Sequence, residues 1–463
     1  MIHTLSCLFL IAFNALAFQP SISHSKIYNI LDFGAVGNGK TMNTIAIQKA
    51  IDAAHKSRGG TVVVPEGEFV TGTIYFKDDV ILHLNKNAVL IGSPFLKDYP
   101  INELTTFRSY TERYTKKALI YAEGVDNIGI TGQGTIYGNS YAREFMEAER
   151  GKDKPAGIRL VSCKNVTIRG VTISSAGLWL QHYLNCTNLD IQGITAINHG
   201  HFTNDGLNID GCRNVTIKDV YIDSHDDALV FKSTGPAKCE NVFVRNCVLK
   251  SHCHGLKFGT ETTAGFKNVD IANIDISPSD SLHFKTGKLW RVITGVAMEI
   301  TDGGQMENVT IKNLRADSVY APIFIKLGNR ARKYKEDIPV PEPGSINGVT
   351  LSNFHITDAG KFSSSVTGFP GHTVKNIILE NIFIEYNEVP DSPELFDEVP
   401  ENEERYPEIT MFTKGMDKRH YLPSHGLFIR HVDGLILKNF VVKTLDNDPR
   451  PKFQMIHTKN VIK

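Results

Sequence analysis

A short motif that repeats along most of the chain constrains its fold more than any other feature. The copy at residues 212–217 reads CRNVTI, with an apolar residue, an asparagine two positions later and then apolar/polar alternation. Period-two alternation predicts a β-strand. A Gly or Asn and a second short strand follow the motif. Copies occupy residues 125–130, 163–168, 186–191, 212–217, 239–244, 266–271, 306–311, 374–379 and 458–462.

The spacing of the copies leaves no room for helical crossovers. Asn165, Asn188, Asn214, Asn241 and Asn268 are 23, 26, 27 and 27 residues apart, and gaps of 40 residues before 308 and 348 indicate insertions between coils. Short strands at one-coil spacing stack on one another at about 4.8 Å. We therefore predict an all-β fold, a single-stranded parallel β-helix.

The two fixed positions of the motif have separate physical explanations. Asparagine tolerates a left-handed backbone at a bend and hydrogen-bonds its neighbours, so stacked coils should align these residues in a ladder. The position two residues earlier predicts interior packing, because free cysteine behaves as a small hydrophobe. We interpret its four cysteines as core thiols rather than disulfides: Cys163, Cys186, Cys212 and Cys239.

The amino-terminal region predicts an export signal followed by a cap. Residues 1–17 form a short apolar run ending in Ala15-Leu16-Ala17, which is typical of a signal peptide. Residues 18–463 are then expected to form a single β-helix domain. A solenoid end needs covering, and the amphipathic stretch 43–54 predicts a capping helix with Ile47, Ala50, Ile51 and Ala54 on its apolar face.

Charge and hydropathy exclude several kinds of partner. Lys and Arg together number 50, as do Asp and Glu, so the formal net charge is zero. That balance gives no reason to expect binding to nucleic acid or to a membrane surface. No apolar run is long enough to span a bilayer. We expect a secreted or periplasmic protein, with a monomer as the default state.

Three aspartates fall at coil-like spacing. Asp205 precedes a glycine, and Asp226 and Asp227 follow 21 residues later, close to one coil. His254 comes 28 residues after Asp226. Both adjacent aspartates can reach one groove only if the backbone leaves strand geometry there. Because three such carboxylates repel, at least one should keep its proton to higher pH and serve as an acid. Hydrolysis of a glycosidic bond with inversion requires such an acid and a base that activates water, with the two carboxyl groups about 6.5–9.5 Å apart.

These residues carry a family resemblance. Residues 204–206 (NDG), 226–227 (DD) and 254–255 (HG), with 32–35 (DFGA) and the helix after it, resemble glycoside hydrolase family 28, the polygalacturonases and rhamnogalacturonases. The resemblance implies a right-handed, pectin-lyase-like β-helix and an inverting hydrolase. It implies that Asp226 is the general acid, that Asp205 and Asp227 hold the attacking water and that His254 supports the acid. Tyr320 matches a substrate-contacting tyrosine. No metal or cofactor is implied.

The chain departs from that family at one motif. Polygalacturonases grip the galacturonate carboxylate with an Arg-Ile-Lys motif, but here Ala297 and Glu299 stand at the two basic positions. An anion opposite an anionic sugar is repulsive, so Glu299 favours a neutral sugar there. Lys257, which alternates outward, and Arg330, in a basic cluster, are candidates for binding carboxylates at other subsites. A polymer alternating acidic and neutral sugars, as rhamnogalacturonan does, fits both observations.

Further contacts and alternatives follow from the same region. His201, Trp179 and His182 precede Asp205 and are candidates for lining sugar subsites, with Trp179 either stacking on a sugar or packing in the core. The acidic, Pro-rich segment 388–408 predicts a long loop whose end, 406–408, walls the groove. One alternative is a polysaccharide lyase with calcium on the three aspartates, although no Arg or Lys occupies the neighbouring position expected of its base. The other is a non-catalytic carbohydrate-binding β-helix.

Overall fold

The computed structural model describes residues 26–148, 153–281, 291–389, 399–411, 421–444 and 448–463. The expected signal peptide lies outside these residues. The described strands pair in parallel, each with the strand one coil before or after it, so the chain winds into a parallel β-helix. The predicted fold is confirmed. Three columns of strands run along the axis, and we number the strands in chain order.

Column 1 contains the repeated motif. Its strands are β1 (Ile27–Asn29), β3 (Gly60–Val64), β6 (Val80–Leu84), β9 (Asp126–Gly132), β12 (Lys164–Arg169), β15 (Thr187–Gln192), β18 (Arg213–Ser224), β20 (Cys239–Ser251), β22 (Gly265–Pro278), β24 (Gln305–Asp317), β26 (Ser345–Ala359), β28 (Val374–Tyr386), β29 (Leu427–Thr444) and β30 (Phe453–Ile462).

Column 2 continues directly from column 1. From β18 to β29 its strands are the carboxyl-terminal halves of the long column 1 strands. Its separate strands are β2 (Asn38–Met42), β4 (Gly67–Thr71), β7 (Ala88–Gly92), β10 (Thr135–Tyr137), β13 (Thr172–Ser174) and β16 (Thr195–Asn198).

Column 3 carries the predicted catalytic residues at its edge. It also includes the starts of β29 and β30. Its other strands are β5 (Ile74–Tyr75), β8 (Ala118–Glu123), β11 (Ala156–Val161), β14 (Gln181–Leu184), β17 (Leu207–Asp210), β19 (Leu229–Ser233), β21 (His254–Thr262), β23 (Val292–Ile300), β25 (Val319–Leu327) and β27 (Ser364–Thr367).

Helices are few and short in the described chain. Helix α1 (Thr44–Lys56) buries Ala46, Ile47, Ala50, Ile51 and Ala54 against the first strands, which confirms the predicted cap. Single turns lie at Ile30–Phe33, Leu96–Asp98, Tyr110–Arg113 and Pro407–Thr410, and α2 spans Arg143–Glu147. None of the described helices is both long and apolar enough to cross a membrane.

The asparagine ladder is present. Asn165, Asn188, Asn214, Asn241 and Asn268 all have φ between 54° and 58°. Each donates a side-chain hydrogen bond of 2.8–3.2 Å to the amide oxygen one coil earlier. A second ladder, which the motif did not predict, runs at the bend between columns 1 and 2 through Asp219, Asn246, Asn273, Asn313, Asn353, Asn381 and Asn439.

The motif cysteines are interior residues, as predicted. Cys163, Cys186, Cys212 and Cys239 are buried free thiols in one continuous hydrophobic core. Cys247 is likewise buried and free, whereas Cys253 is half-exposed. The cysteine column therefore fills volume between the sheets and forms no cross-link.

The ladder can be tested at Asn241. Alanine there removes two amide hydrogen bonds and keeps a Cβ in the left-handed region, whereas glycine removes only the bonds. With about 1 kcal/mol per hydrogen bond and 1–2 kcal/mol for the backbone, the melting temperature should fall from wild type to N241G and again to N241A. The neighbouring R213A, at an exposed 3.9 Å ion pair, should change it little. Equal melting temperatures for N241A and N241G would show that the left-handed backbone contributes nothing.

Candidate active site

The predicted acids meet at the bend where the chain enters column 3. Strands β17, β19 and β21 pair in register through Leu207, Leu229 and Leu256. The residue two positions before each of these is Asp205, Asp227 or His254, so these three stack on successive coils. The backbone N–H of Gly206 donates to the carbonyl of Asp227 at 2.9 Å, and that of Ala228 to His254 at 2.9 Å.

Small residues make this bend possible. A Cβ on Gly206 would lie 2.3 Å from Cγ2 of Ile222, and a Cβ on Gly255 would lie 2.5 Å from Cγ2 of Ile276. Both distances are shorter than side-chain carbons tolerate. The glycines after Asp205 and His254 are therefore needed for the chain to turn tightly over the core.

Asp226 and Asp227 both reach the groove because the backbone leaves strand geometry between β18 and β19, as expected. Ser224 and Ser251 each donate a 2.7 Å hydrogen bond to the carbonyl of Asp226, which fixes the turn. One oxygen from each of Asp205, Asp226 and Asp227 lies within 4.8 Å of the other two, which is closer than the separation of about 6.5–9.5 Å expected between an inverting acid and its base. A water donating two hydrogen bonds of ~2.8 Å at a tetrahedral angle spans roughly 4.5 Å between its acceptors, so two of these carboxyls can hold a water between them.

The three carboxyls have different proton affinities. Burial, then the charge of Asp227, raises the pKa of Asp226 to about 6. Burial, then the charge of Asp226, raises the pKa of Asp205 well above its ordinary value. Burial alone would raise the pKa of Asp227, but the charge of Lys257 holds it below the ordinary value. The site thus contains one fixed carboxylate and two carboxyls that each disfavour ionisation of the other.

Lys257 supplies the charge that fixes Asp227. It is 4% exposed, and its Nζ lies 3.1 Å from Oδ2 of Asp227 and 2.8 Å from Oε1 of Glu408. This corrects the expectation that no basic residue stands beside the aspartates. It also corrects the interpretation of Lys257 as a subsite for substrate carboxylates, because two protein carboxylates already hold its ammonium.

Lys232 is a second buried ammonium that the sequence interpretation missed. Its Nζ lies 3.1 Å from Oε2 of Glu261 and 5.0 Å from the centre of the Trp179 ring. Its charge also lowers the pKa of Asp226 and Asp205. The signal was available: a lysine that directly follows the apolar run 229–231 in a buried strand needs a buried partner.

His254 contacts a different partner from the expected one. Its Nδ1 lies 2.6 Å from Oγ1 of Thr294, and its Nε2 lies 3.9 Å from oxygens of Asp227 and Glu408. The histidine therefore faces Asp227 rather than Asp226, the acid that it was expected to support. Burial, reinforced by Lys257, lowers its pKa to about 3. His254 is thus neutral and acts through hydrogen bonding rather than charge.

Glu299 is buried and neutral rather than an exposed anion. Its side chain is 0% exposed, and neither carboxyl oxygen has a hydrogen-bond partner. Burial, then the charge of Glu408, raises its pKa well above the ordinary value. The charge repulsion expected from Glu299 is therefore wrong. Ala297 pairs with Lys257 on the preceding coil, so the small side chain leaves space for that lysine.

Residues 399–411 reach this cluster, as predicted for residues 406–408. Glu408 contacts Lys257, and the hydroxyl of Tyr406 lies 3.5 Å from Oγ1 of Thr260. The guanidinium of Arg330 lies 5.8 Å from the centre of the Tyr406 ring. The segment therefore packs against β21 next to the carboxylate cluster.

Other predicted substrate contacts are occupied by protein groups. Arg330 pairs with Asp302 and donates to the carbonyl of Thr260, which corrects its interpretation as a free carboxylate subsite. Tyr320 is buried, with its ring 5.6 Å from that of Phe362. Their side chains stabilise the wall of the groove.

The aromatic and histidine candidates before Asp205 are packed as well. His182 is fully buried and its Nε2 contacts Oδ2 of Asp210 at 3.0 Å, which contradicts a sugar-lining role. Lys232 covers one face of Trp179, so sugar stacking on that face would require the lysine to move. His201 contacts the carbonyl of Ser140 at 2.8 Å.

The geometry agrees with the results of sequence and structure comparison. Residues 63–396 match the family model of Glycosyl hydrolases family 28. The chain belongs to this family. A "Probable polygalacturonase" of Vitis vinifera is 32% identical over 233 residues, covering 47% of this chain and 47% of that protein. An "Exo-poly-alpha-D-galacturonosidase" of Dickeya chrysanthemi is 39% identical over 126 residues, covering 26% of this chain and 20% of that protein.

A solved structure supports the fold of this family member. The Yersinia enterocolitica family 28 exopolygalacturonase superposes with a TM-score of 0.63 at 19% identity, covering 94% of this chain and 78% of that one. The chain matches about half the length, or less, of the curated relatives described above.

The protonation of Lys257 argues against the lyase alternative. A lyase must abstract a proton, and the basic residue beside the aspartates is Lys257. The charges of Asp227 and Glu408 outweigh burial and raise the pKa of Lys257 well above its ordinary value. An ammonium held in this way is a poor base, so the cluster is suited to acid-assisted chemistry.

The ion pairs of Lys257 can be tested by stability. K257M leaves Asp227 and Glu408 buried without their cation, so the free energy of unfolding should fall by about 3–5 kcal/mol. Adding D227N and E408Q should restore part of the loss. The control is K238M, because Lys238 makes a partly exposed 3.7 Å ion pair with Glu307 and should matter by less than about 1 kcal/mol. Thermal unfolding measures all of these variants, and equal effects of K257M and K238M would contradict the buried-pair interpretation.

Proposed function

We propose that the protein is an exported, inverting glycoside hydrolase. Its substrate is a pectic polysaccharide that contains both acidic and neutral sugars, of the rhamnogalacturonan type. The observation that carries the proposal is the cluster of Asp205, Asp226 and Asp227, with oxygens within 4.8 Å and pKa values shifted in opposite directions. Export is supported by the apolar run at residues 1–17.

Asp226 is the general acid in this proposal. It is the half-buried member of the three, whereas Asp205 and Asp227 are buried. A glycosidic oxygen entering the groove therefore meets Asp226 first. Because the charge of Asp226 raises the pKa of Asp205, one proton is favoured on this pair. Contact with the leaving oxygen places that proton on Asp226 in the reacting complex.

Asp205 and Asp227 hold the attacking water. Asp226 transfers its proton to the glycosidic oxygen as the bond from that oxygen to the anomeric carbon breaks. Water attacks the anomeric carbon from the opposite face and gives its proton to the Asp205/Asp227 pair. Lys257 keeps Asp227 ionised down to acidic pH, so an acceptor for that proton is available while Asp226 is protonated.

The substrate proposal rests on the balance of charge around Glu299. Glu299 is neutral, Glu408 and Asp227 occupy Lys257, and Asp302 occupies Arg330. The cluster thus offers no uncompensated cation to a sugar carboxylate beside Glu299. Because Glu299 is itself 0% exposed, a sugar beside it meets a neutral protein surface rather than a cation, which suits a neutral sugar. The named relatives favour a polymer that is acidic elsewhere, and an alternating polymer meets both conditions.

A substrate panel tests this proposal. Reducing-end release should occur on rhamnogalacturonan and not on polygalacturonan, with inversion of the product anomer followed by NMR. D226N should lower the rate by about 10²–10⁴-fold. The control is D219N, because Asp219 is exposed on the second ladder and accepts one hydrogen bond from Asn246. Cleavage of polygalacturonan would refute the neutral-sugar interpretation of Glu299, and a panel without Asp226-dependent cleavage would favour a carbohydrate-binding protein.

The pH profile tests the assignment of Asp226. The acid must be protonated to act, and its pKa in the free protein is about 6. The ratio kcat/KM should therefore fall tenfold per pH unit above about pH 6. At the acidic end, kcat/KM should fall only below pH 3.8, the ordinary pKa of an aspartate, because the pKa of Asp227 is lowered. A profile that stays flat to pH 8 would show that Asp226 is not the acid.

A further inference from the structure

Lys154 is a buried lysine that no carboxylate neutralises within the part of the chain that the structure describes. It lies two residues before β11 and is 6% exposed. Its ammonium makes one polar contact there, 3.2 Å to Nδ1 of His201. The carboxylate of the adjacent Asp153 faces Lys117 instead, at 4.0 Å. Since a lysine is almost never buried without a charge partner, this arrangement leaves the charge of Lys154 uncompensated.

His201 holds the ammonium without neutralising it. Its Nε2 lies 2.8 Å from the carbonyl oxygen of Ser140, which can only accept, so Nε2 carries the ring hydrogen. Nδ1 is then the acceptor for the ammonium of Lys154. Burial, then the charge of Lys154, lowers the pKa of His201, so the ring stays neutral. A neutral imidazole orients the lysine but supplies no negative charge.

Two other buried lysines show what a carboxylate partner does. Burial alone would lower the pKa of Lys232, but the charge of Glu261 raises it. The charges of Asp227 and Glu408 likewise outweigh the burial of Lys257. Burial lowers the pKa of Lys154, and no carboxylate offsets it. Of these three lysines near the acids, the protein therefore compensates two.

The contact with His201 joins Lys154 to a turn beside the acids. The backbone N–H of His201 donates to Oδ1 of Asn204 at 2.6 Å, and the N–H of Asp226 donates to the carbonyl of Asn204 at 3.1 Å. Phe202, the next residue of the turn, is 57% exposed. The ammonium of Lys154 therefore lies under a surface turn that is hydrogen-bonded to the backbone of the acids.

Lys154 and Glu299 lie on opposite sides of the acids along the axis of the β-helix. Strands β11, β14 and β17 occupy successive coils, so the backbone of Lys154, just before β11, lies two coils, about 10 Å, before that of Asp205, just before β17. The side chain then reaches back to His201. Glu299 lies in β23, three coils after β17. A polymer lying along column 3 across the acids thus extends from one of these residues towards the other.

We propose that Lys154 binds the carboxylate of an acidic sugar of the substrate on the amino-terminal side of the acids, with His201 as its positioning residue. The inference rests on the proposed function, because it locates the acidic sugars of the mixed polymer. A sugar carboxylate supplies the negative charge that the described protein does not, through a charge-assisted hydrogen bond. Lys154 and Glu299 then select different sugars on the two sides of the scissile bond.

Oligosaccharide binding tests the inference without using activity. Calorimetry on D226N compares rhamnogalacturonan oligosaccharides with the same oligosaccharides after their uronates have been reduced to neutral sugars. Adding K154M should weaken binding of the acidic form about 10–100-fold and leave binding of the reduced form unchanged. The control is K117M in the same background, because Lys117 already faces Asp153 and should leave both affinities within about twofold.

Stability supplies a second readout. K154M replaces an uncompensated buried ammonium by an apolar side chain, so it should melt at or above the wild-type temperature. K257M should melt lower, because it leaves two carboxylates without their cation. A K154M protein that melts as low as K257M would show that the protein already compensates Lys154, and the inference would be wrong.

The binding results separate the possible failures. Loss of the preference for the acidic form in K154M, together with no Asp226-dependent cleavage, would keep the site and reject the hydrolase. Asp226-dependent cleavage, with K154M weakening both forms equally or neither form, would keep the hydrolase and reject the inference. Binding of neither form to D226N would reject both the substrate and the site.

Discussion

The in-register hydrogen bonding between coils is the constraint on which the rest of the structure depends. It places residues one coil apart in sequence about 4.8 Å apart in space. Leu207, Leu229 and Leu256 are held in that register, so the residues before them form a column whatever their charge. The fold can therefore bring Asp205 and Asp227 together against their repulsion. The free energy for doing so comes from the strands and the core rather than from the site.

Because the fold holds these acids close together, compensating charges are needed around them. Two buried ammonium groups, Lys232 and Lys257, lie among the carboxyls, and each is held by a further carboxylate, Glu261 or Glu408. A buried charge without a partner is far more costly than a paired one. The lysines thus decide which carboxyls ionise. Lys257 contacts Asp227 directly and fixes it as an anion, while Asp226 and Asp205 have no such contact and keep raised pKa values.

The sequence predicted what the coil period determines. The column of strands, the asparagine ladder, the interior cysteines and the meeting of Asp205, Asp226 and Asp227 all follow from a spacing of one coil. Two ion pairs join residues whose separation in sequence does not follow that period. Glu261 reaches Lys232 because β21 has two extra residues between Phe258 and Thr262, opposite Phe231 and Ser233 of β19. Glu408 reaches Lys257 from a segment 151 residues later in the chain, a distance that no repeat predicts.

The protonation of Glu299 was mispredicted for a related reason. A motif comparison assigns a charge to a residue type, but the charge of a carboxyl depends on what covers it. Glu299 is fully buried, and the charge of Glu408 further disfavours its ionisation. The sequence could not predict the approach of Glu408, because residues 399–411 have no strand pairing to place them.

Ala297 and Lys257 are neighbours on adjacent coils, and the size of one limits the space for the other. They pair across β21 and β23, so a long basic side chain at 297 would compete with Lys257 for the same space and the same carboxylates. With alanine there, the cation stands one coil nearer the acids and neutralises Asp227 instead of facing the groove. A site built in this way uses its positive charge to set protonation, which leaves discrimination between sugars to hydrogen bonding and shape. Such discrimination suits a neutral ring at the position where polygalacturonases hold a carboxylate.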